Sequence, residues 1–378
     1  MHSFFPGNYR WSYNTLFAFA AGGEFGDVSM VVDRLQGHDG DTEAWIREWA
    51  WLADILEDRA AASIGVDARI SGARISGAEN LYLSGLYRTI GEHFIPPDDP
   101  RRASAYGQVL DAFERAHALS DWPVERIEVP FGEDALPGYF MPSLVGEGPR
   151  PVVIFICGLD TTKEISFLRV RQHLAVRGMH CLAIDTPGIG EALKKLGLVT
   201  RSDYEVPVAA AIDYLESRDD VDRDRIGIVG SSLGGYYVAR AAAFEPRIRA
   251  TVAWGAIYDY HRVWERRINQ GGTVAAPTFQ LMFITGTDTL EAAVKAVEDF
   301  KVEPFGKRIT APFMVAHGAD DQQVGMADAQ AMFDAIGSED KTFMVFDGEN
   351  GGSAHCQFDN HLPAMQCVAD WIATKLMT

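Results

Sequence analysis

The stretch Gly230-Ser231-Ser232-Leu233-Gly234 has the pattern G-x-S-x-G, with Ser232 at its centre. It follows an apolar run at residues 226–229 that is typical of a strand, and it precedes a pattern at residues 235–244 that is typical of a helix. A tight turn between a strand and a helix lifts a serine hydroxyl above the sheet, and the neighbouring glycines let the backbone pass without clashes. We predict that Ser232 is a nucleophile; the alternative is a glycine-rich turn without a chemical role.

Strand-like and helical patterns alternate on both sides of this turn. The strand-like segments are residues 151–156, 181–184, 226–229, 250–254, 313–316 and 343–346. An alternating order of this kind predicts an α/β fold, in which helices flank a mostly parallel sheet. A period of two at residues 124–129, followed by a turn and by residues 139–141, predicts an antiparallel hairpin ahead of it.

The first third of the chain has a different pattern. Apolar residues recur at helical spacing between residues 45 and 118, with an interruption at the proline-rich residues 96–100. We therefore expect an N-terminal helical cap domain at residues 1–122 and an α/β core at residues 123–378. A stretch without strand character around residues 258–307 predicts a cap-like insertion in that core.

Composition excludes several classes of protein. The 378 residues are 47% hydrophobic and 23% charged, as in ordinary globular proteins, and their net charge is −19. This charge repels phosphate backbones and anionic lipids, so we expect neither nucleic acid nor a membrane as partner. The four cysteines lack the spacing of a disulfide framework or a zinc site, which favours the cytoplasm. Because nucleotide and metal motifs are missing from the sequence, we expect no cofactor and no metal.

A serine nucleophile needs an acid and a base, which in this kind of fold follow it in the order Asp and then His. Asp320 and Asp321 both follow the strand-like residues 313–316, at the sheet edge where open α/β proteins bind ligands. His355 lies in a glycine-rich loop after the last predicted strand. We expect His355 to be the base rather than His361, which falls at the predicted start of the terminal helix. The residues alone leave Asp320 and Asp321 as alternatives for the acid.

Acyl transfer also needs two backbone N–H donors for the oxyanion of the tetrahedral intermediate. One donor belongs to the residue after the nucleophile, and the other to the loop after the first core strand, Cys157-Gly158-Leu159-Asp160. We expect Leu233 and Leu159 to supply them.

Four stretches together resemble a known group of hydrolases. They are residues 156–164 (ICGLDTTKE), residues 185–191 (DTPGIGE), residues 230–235 (GSSLGG) and the pair His355-Cys356. The chain is similar to the α/β-hydrolase group that contains 2,6-dihydroxypseudooxynicotine hydrolase, fungal polyketide-shortening hydrolases and the fermentation-respiration switch proteins. The likeness covers most of residues 125–378, and an N-terminal helical module is also a feature of the group.

This resemblance implies an α/β-hydrolase fold, a homodimer and hydrolysis of a carbon–carbon bond beside a ketone. It aligns Ser232 with the nucleophile, Asp321 rather than Asp320 with the acid, and His355 with the base. It also implies a substrate-binding carboxylate in the cap, for which Glu265 is the nearest candidate. The alternative for Glu265 is a solvated side chain on a helix.

The main hypothesis is therefore a serine hydrolase with a Ser-His-Asp triad that acts on a small aromatic or polyketide-like ketone without a cofactor. A carboxylesterase or lactonase with the same triad is the alternative, because the pocket decides which bond is cleaved. A non-catalytic switch or binding protein is a third hypothesis, but such a protein would have no need of a complete triad.

Overall fold

The computed structural model describes residues 2–65, 71–159, 161–269 and 275–377. These residues group into two compact units. Residues 125–269 and 278–377 form a unit built on a β-sheet, and residues 2–124 with 275–277 form a helical unit. Within these segments, no helix is both long enough and apolar enough to cross a lipid bilayer.

Helices α1 to α5 make up the helical unit: α1 Tyr9–Ala20, α2 Phe25–Leu35, α3 Thr42–Ile64, α4 Ser71–Glu92 and α5 Arg101–Leu119. Helix α3 begins after Asp41 because its carboxylate accepts a hydrogen bond of 3.0 Å from the backbone N–H of Ala44. Trp45, Trp49 and Tyr87 are completely buried. These rings pack between α3 and α4 and form the core of the unit. The predicted helical pattern covers α3 to α5, and α1 and α2 precede it.

One eight-stranded sheet lies at the centre of the other unit. Its strands are β1 Glu125–Phe131, β2 Asp134–Met141, β3 Arg150–Ile156, β4 His180–Ile184, β5 Val221–Ser231, β6 Ile248–Trp254, β7 Phe313–Gly318 and β8 Lys341–Phe346, in the spatial order β1-β2-β4-β3-β5-β6-β7-β8. β2 pairs antiparallel with both β1 and β4, and the other neighbours are parallel. The predicted hairpin and mostly parallel sheet are confirmed.

The register of the sheet aligns the carboxyl ends of its central strands. Ile156 of β3 pairs with Gly230 of β5, and Trp254 of β6 pairs with Ser231 of β5 and Ala316 of β7. The apolar run of β3 is buried beyond its first residue, as expected for a strand covered on both faces. The loops that leave β3, β5 and β7 therefore begin at one edge of the sheet.

Helices α6 to α14 accompany the sheet: α6 Lys163–Val170, α7 Gly190–Lys194, α8 Glu205–Glu216, α9 Leu233–Phe244, α10 Tyr260–Asn269, α11 Phe279–Thr285, α12 Leu290–Ala296, α13 Met326–Ala335 and α14 His361–Met377. Short 3₁₀ turns lie at Ala175–Arg177, Gly306–Arg308 and His355–Gln357. The stretch 258–307, where the sequence predicts an insertion, contains α10, α11 and α12. Residues 270–274 of this stretch lie outside the described residues.

Candidate active site

Ser232 lies on the sharp turn between β5 and α9. Its backbone has a φ of 58° and a ψ of −120°, which is an unfavourable conformation for a residue other than glycine. The N–H of Ser232 donates a hydrogen bond of 2.7 Å to the carbonyl of Trp254 and so holds the turn. A Cβ atom on Gly230 would lie 2.1 Å from the carbonyl oxygen of Gly234, so this position needs glycine. The predicted strand, turn and helix around Ser232 are confirmed.

His355 follows the loop that leaves β8. Asp359 folds this loop back, because its carboxylate accepts hydrogen bonds from the N–H groups of Ser353 and Ala354 at 3.1 and 3.0 Å. Nε2 of His355 lies 2.8 Å from Oγ of Ser232. The imidazole is buried, which protects this hydrogen bond from competition by bulk water.

Asp321 lies on the other side of the imidazole. Its Oδ2 is 2.6 Å from Nδ1 of His355, and its Oδ1 accepts hydrogen bonds from the N–H groups of Gln323 and Val324 at 2.8 and 2.9 Å. Asp320, the other candidate for the acid, is exposed. The structure thus brings Ser232, His355 and Asp321 together and leaves Asp320 outside this group.

The ionisation states of His355 and Asp321 depend on each other. Burial by itself would lower the pKa of His355, but the charge and hydrogen bond of Asp321, together with those of Cys356, raise that pKa above its ordinary value. Burial would raise the pKa of Asp321, but the charge of His355 and hydrogen bonds, including that from the N–H of Val324, lower it. The pair therefore favours an ionised Asp321, whose carboxylate accepts a hydrogen bond from the Nδ1–H of His355. Nε2 then faces the serine hydroxyl.

The loop after β3 packs directly against the serine turn. A Cβ atom on Gly158 would lie 2.7 Å from the backbone nitrogen of Leu233 and 2.9 Å from Cβ of Ser232. Glycine therefore keeps open the space beside the N–H of Leu233, where an oxyanion would lie. Leu159 follows in the same loop, and its role as second donor stays a prediction. Asp160, the last residue of the quoted loop, lies outside the described residues.

A buried cluster of charged side chains links the loop after β3 to the neighbouring strand, β4. The sequence analysis did not predict this cluster. Nζ of Lys163 lies 2.6 Å from Glu164, 2.7 Å from Glu191 and 3.3 Å from Asp185. The carboxylate of Asp185 also accepts the N–H groups of Lys163 and Glu191, at 2.6 and 2.8 Å. Asp185 directly follows β4. Its hydrogen bonds to the N–H groups of Lys163 and Glu191 therefore join the end of β4 to the starts of α6 and α7. The quoted stretches 156–164 and 185–191 contained these residues, but only their contact in space shows the cluster.

Two other histidines lie near the group. Nε2 of His317 is 2.9 Å from the carbonyl oxygen of Val324 and 3.5 Å from Oδ2 of Asp321, so this buried ring supports the loop that carries Asp321. His361 stacks on Trp254, with ring centroids 5.0 Å apart and an interplanar angle of 3°. Neither ring makes a hydrogen bond to Ser232 in the part of the chain that the structure describes.

Glu265 lies on α10, and about half of its side chain is exposed. Its carboxylate is 3.7 Å from Nδ1 of His261, one helical turn earlier. Among the described contacts, none joins Glu265 to Ser232, His355 or Asp321. A role of Glu265 in substrate binding stays a prediction.

Two family models each match more than half of the 378 residues. The model described as esterase FrsA-like matches residues 31–269, and that of the prolyl oligopeptidase family matches residues 166–376. The second range includes Ser232, Asp321 and His355.

Individual proteins of similar sequence are also named as hydrolases. The chain is 28% identical to hydrolase acrC of Aspergillus aculeatus, with 88% of each chain covered. It is 27% identical to 2,6-dihydropseudooxynicotine hydrolase of Paenarthrobacter nicotinovorans, over 88% of this chain and 85% of the relative. The crystal structure of 2,6-dihydroxy-pseudo-oxynicotine hydrolase matches with a TM-score of 0.80 and 26% identity, over 96% of this chain and 95% of the other. The predicted α/β-hydrolase fold is confirmed.

Proposed function

This chain belongs to the esterase FrsA-like family and is a hydrolase, and from that premise we propose that it is a serine hydrolase that cleaves a carbon–carbon bond beside a ketone. The observation that carries the proposal is the continuous row of hydrogen bonds from Asp321 through His355 to Ser232, at 2.6 and 2.8 Å. The resemblance to hydrolases that cleave a carbon–carbon bond beside a ketone supports the choice of bond. The name 2,6-dihydropseudooxynicotine hydrolase, given to a relative that matches 88% of this chain, supports a small-molecule substrate.

In the proposed reaction, Oγ of Ser232 attacks the ketone carbon while Nε2 of His355 takes the hydroxyl proton. Asp321 stabilises the resulting imidazolium, and the N–H groups of Leu233 and Leu159 donate to the oxyanion. When the tetrahedral species collapses, the carbon–carbon bond breaks and its electron pair leaves as an enolate, which His355 protonates. Water activated by His355 then hydrolyses the ester on Ser232, releasing a carboxylic acid and restoring the hydroxyl.

A carboxylesterase or lactonase is the second candidate, and the family description as an esterase favours it. The same groups would act on an ester, with an alkoxide leaving in place of the enolate. The two candidates differ in the leaving group, so the products of a substrate pair separate them.

The experiment compares wild type and Ser232→Ala on 1-phenyl-1,3-butanedione and on p-nitrophenyl butyrate. We expect wild type to cleave the diketone with the larger kcat/KM and to incorporate one oxygen from ¹⁸O-labelled water into the acid product. Ser232→Ala is expected to lose at least about a thousandfold in kcat. Ser217→Ala, at the exposed end of α8, is the matched control and should keep wild-type rates.

Three outcomes would contradict the proposal in different ways. Cleavage of the ester alone would assign the protein to the second candidate. Diketone cleavage that survives Ser232→Ala would remove Ser232 as nucleophile. If wild type is inactive on both substrates but a fluorophosphonate labels Ser232, the serine is reactive and the enzyme acts on a different class of substrate.

The proposed role of Glu265 is tested in the same assay. We propose that its carboxylate contacts the substrate, as the resemblance implies, so Glu265→Gln should raise KM and leave kcat nearly unchanged. Glu298→Gln, on an exposed position after α12, is the control. An unchanged KM would leave Glu265 as a solvated partner of His261.

We further propose that the protein is a cytoplasmic homodimer. The resemblance supports the dimer, and four free cysteines support a reducing compartment. Light scattering coupled to gel filtration measures the mass in solution, and a monomer at micromolar concentration would contradict the dimer. Cell fractionation tests the compartment.

A further inference from the structure

The guanidinium of Arg169, in the last turn of α6, is buried behind the serine turn. Only 3% of Arg169 is exposed. Its Nη1 lies 3.4 Å from Oγ of Ser231 and 4.0 Å from Sγ of Cys157, and its Nε lies 3.5 Å from Nε2 of His361. All three distances are at the long end of hydrogen bonding, so these groups satisfy the guanidinium only weakly.

The charge of Arg169 lacks a carboxylate partner in the described part of the chain. Among the described residues, no Asp or Glu forms an ion pair with it, and its buried Nη2 has no hydrogen-bond partner. The guanidinium instead lies over the rings of Phe155, Trp254 and Phe358, at 5.5, 5.2 and 5.2 Å from their centroids. Cation–π contacts offset only part of the free energy needed to bury an unpaired cation. An arrangement so unfavourable to stability points to a role in the reaction.

The contacts of Arg169 join the segments that build the candidate site. Cys157 begins the loop that carries the predicted second oxyanion donor, and Ser231 immediately precedes Ser232. Trp254, over whose ring the guanidinium lies, accepts the N–H of Ser232 at 2.7 Å. One side chain therefore contacts the oxyanion loop, the serine turn and the end of β6.

His361 does not add to this charge or cancel it. Burial, and secondly the charge of Arg169, lower the pKa of His361 well below its ordinary value, so the ring is neutral. Its Nε2 can then accept the N–H of Arg169. The positive charge behind Ser232 therefore has no ion-pair partner among the described residues.

We propose that Arg169 is a positioning residue for the reaction of Ser232: it lies between the loop after β3 and the serine turn, and its charge, which no described carboxylate pairs, favours the anion that forms there. The inference rests on the proposed role of Ser232 as nucleophile. Buried charges act over several ångströms with little screening by water and salt. A neutral ketone or ester gains little from this field and the oxyanion gains much, so the effect falls on the transition state rather than on substrate binding.

Phenylboronic acid is the probe for this role, because it is neutral in solution and becomes a tetrahedral anion when a serine oxygen adds to boron. We expect Arg169→Met to raise its inhibition constant at least about tenfold and to lower kcat by a similar factor, with KM within about twofold of wild type. Arg169→Lys keeps the charge but lacks the planar guanidinium, so its losses in boronate affinity and kcat should be smaller than those of Arg169→Met. The melting temperature of Arg169→Met should equal or exceed that of wild type, because an unpaired buried charge has been removed.

A purely structural arginine would give the opposite pattern. If Arg169→Met fails to fold, or loses boronate affinity together with its melting temperature, the arginine serves stability and the inference is overturned. It is equally overturned if Arg169→Met binds the boronate within twofold of wild type. Arg177→Met, which removes a surface ion pair with Asp370, is the matched control and should change neither kcat nor the inhibition constant.

Binding by Ser232→Ala separates this inference from the proposed function. If wild type binds phenylboronic acid no more tightly than Ser232→Ala, the nucleophile is wrong and the inference falls with it. If wild type binds at least tenfold more tightly than Ser232→Ala while Arg169→Met equals wild type, only the role of Arg169 is overturned.

Discussion

Oδ2 of Asp321 lies 2.6 Å from Nδ1 of His355, although 34 residues separate them in the chain. The other carboxylate oxygen of Asp321 accepts two backbone N–H groups, which fixes the direction of the carboxylate toward the imidazole. Asp320, the preceding residue, is exposed. The turn after β7 thus gives two adjacent aspartates different surroundings.

This difference predicts the effects of removing either charge. Asp321→Asn should lower kcat by about a thousandfold to ten-thousandfold, because the imidazolium formed in the reaction loses its stabilising carboxylate and the ring its preferred tautomer. Asp320→Asn should leave kcat within about twofold. Steady-state kinetics on the preferred substrate measure both, and equal losses in the two variants would contradict the assignment of Asp321.

The contact between Asp321 and His355 should also affect the pH dependence of activity. Burial alone would lower the pKa of His355, but Asp321, together with Cys356, raises it above the ordinary value of 6.5. In the proposed reaction the neutral imidazole is the base, so kcat/KM should increase with pH through a midpoint above 6.5. Asp321→Asn should move the midpoint downward, whereas Asp320→Asn should leave it in place. A wild-type midpoint at or below 6.5 would contradict this prediction.

The charge cluster around Lys163 should matter for stability. Lys163→Met leaves the buried carboxylates of Glu164 and Asp185 without their cation, and we expect it to lower the free energy of unfolding by about 3–5 kcal/mol. Lys195→Met removes an exposed partner of Glu191, 3.3 Å away, and should lower it by less than about 1 kcal/mol. Urea denaturation compares them. Equal losses of stability in the two variants would contradict the importance of the buried charges around Lys163.

The serine turn should not tolerate a side chain at Gly234. A Cβ atom there would lie 2.5 Å from the carbonyl oxygen of Ile156 and 2.9 Å from that of Cys157. We expect Gly234→Ala to lower stability by about 1–3 kcal/mol and to abolish most activity, because β3 and the loop after it must move away.

Gly107→Ala is the matched substitution in α5, where a Cβ atom meets nothing within 4 Å. It should leave activity unchanged and raise stability by about 0.5–1 kcal/mol, since alanine is the better helix former. Chemical denaturation and activity assays on both variants test the pair. Wild-type activity in Gly234→Ala would contradict the close packing of this turn.

The sequence predicted the elements whose signal is local. The G-x-S-x-G turn was recognisable because the strand before it and the helix after it are contiguous with it, and the hairpin of β1 and β2 follows from a period of two. Helices α1 and α2 lie before the region whose periodicity predicted helices. The location of Glu265 on a helix carried no information about its surroundings.

Taken alone, the sequence determined the α/β order of the chain, the serine on its turn and a histidine in a late loop, because each depends on residues that are neighbours in the chain. From the residues by themselves, the choice between Asp320 and Asp321 stayed open, and the resemblance favoured Asp321. Only the tertiary structure decided that Asp321 faces His355 and that Lys163 is buried among carboxylates 22 and 28 residues away. It also decided that Arg169, which has no ion-pair partner among the described residues, lies behind Ser231, 62 residues further along the chain. The physical reason is that burial and charge pairing are properties of segments brought together in space, and a single stretch of sequence does not carry them.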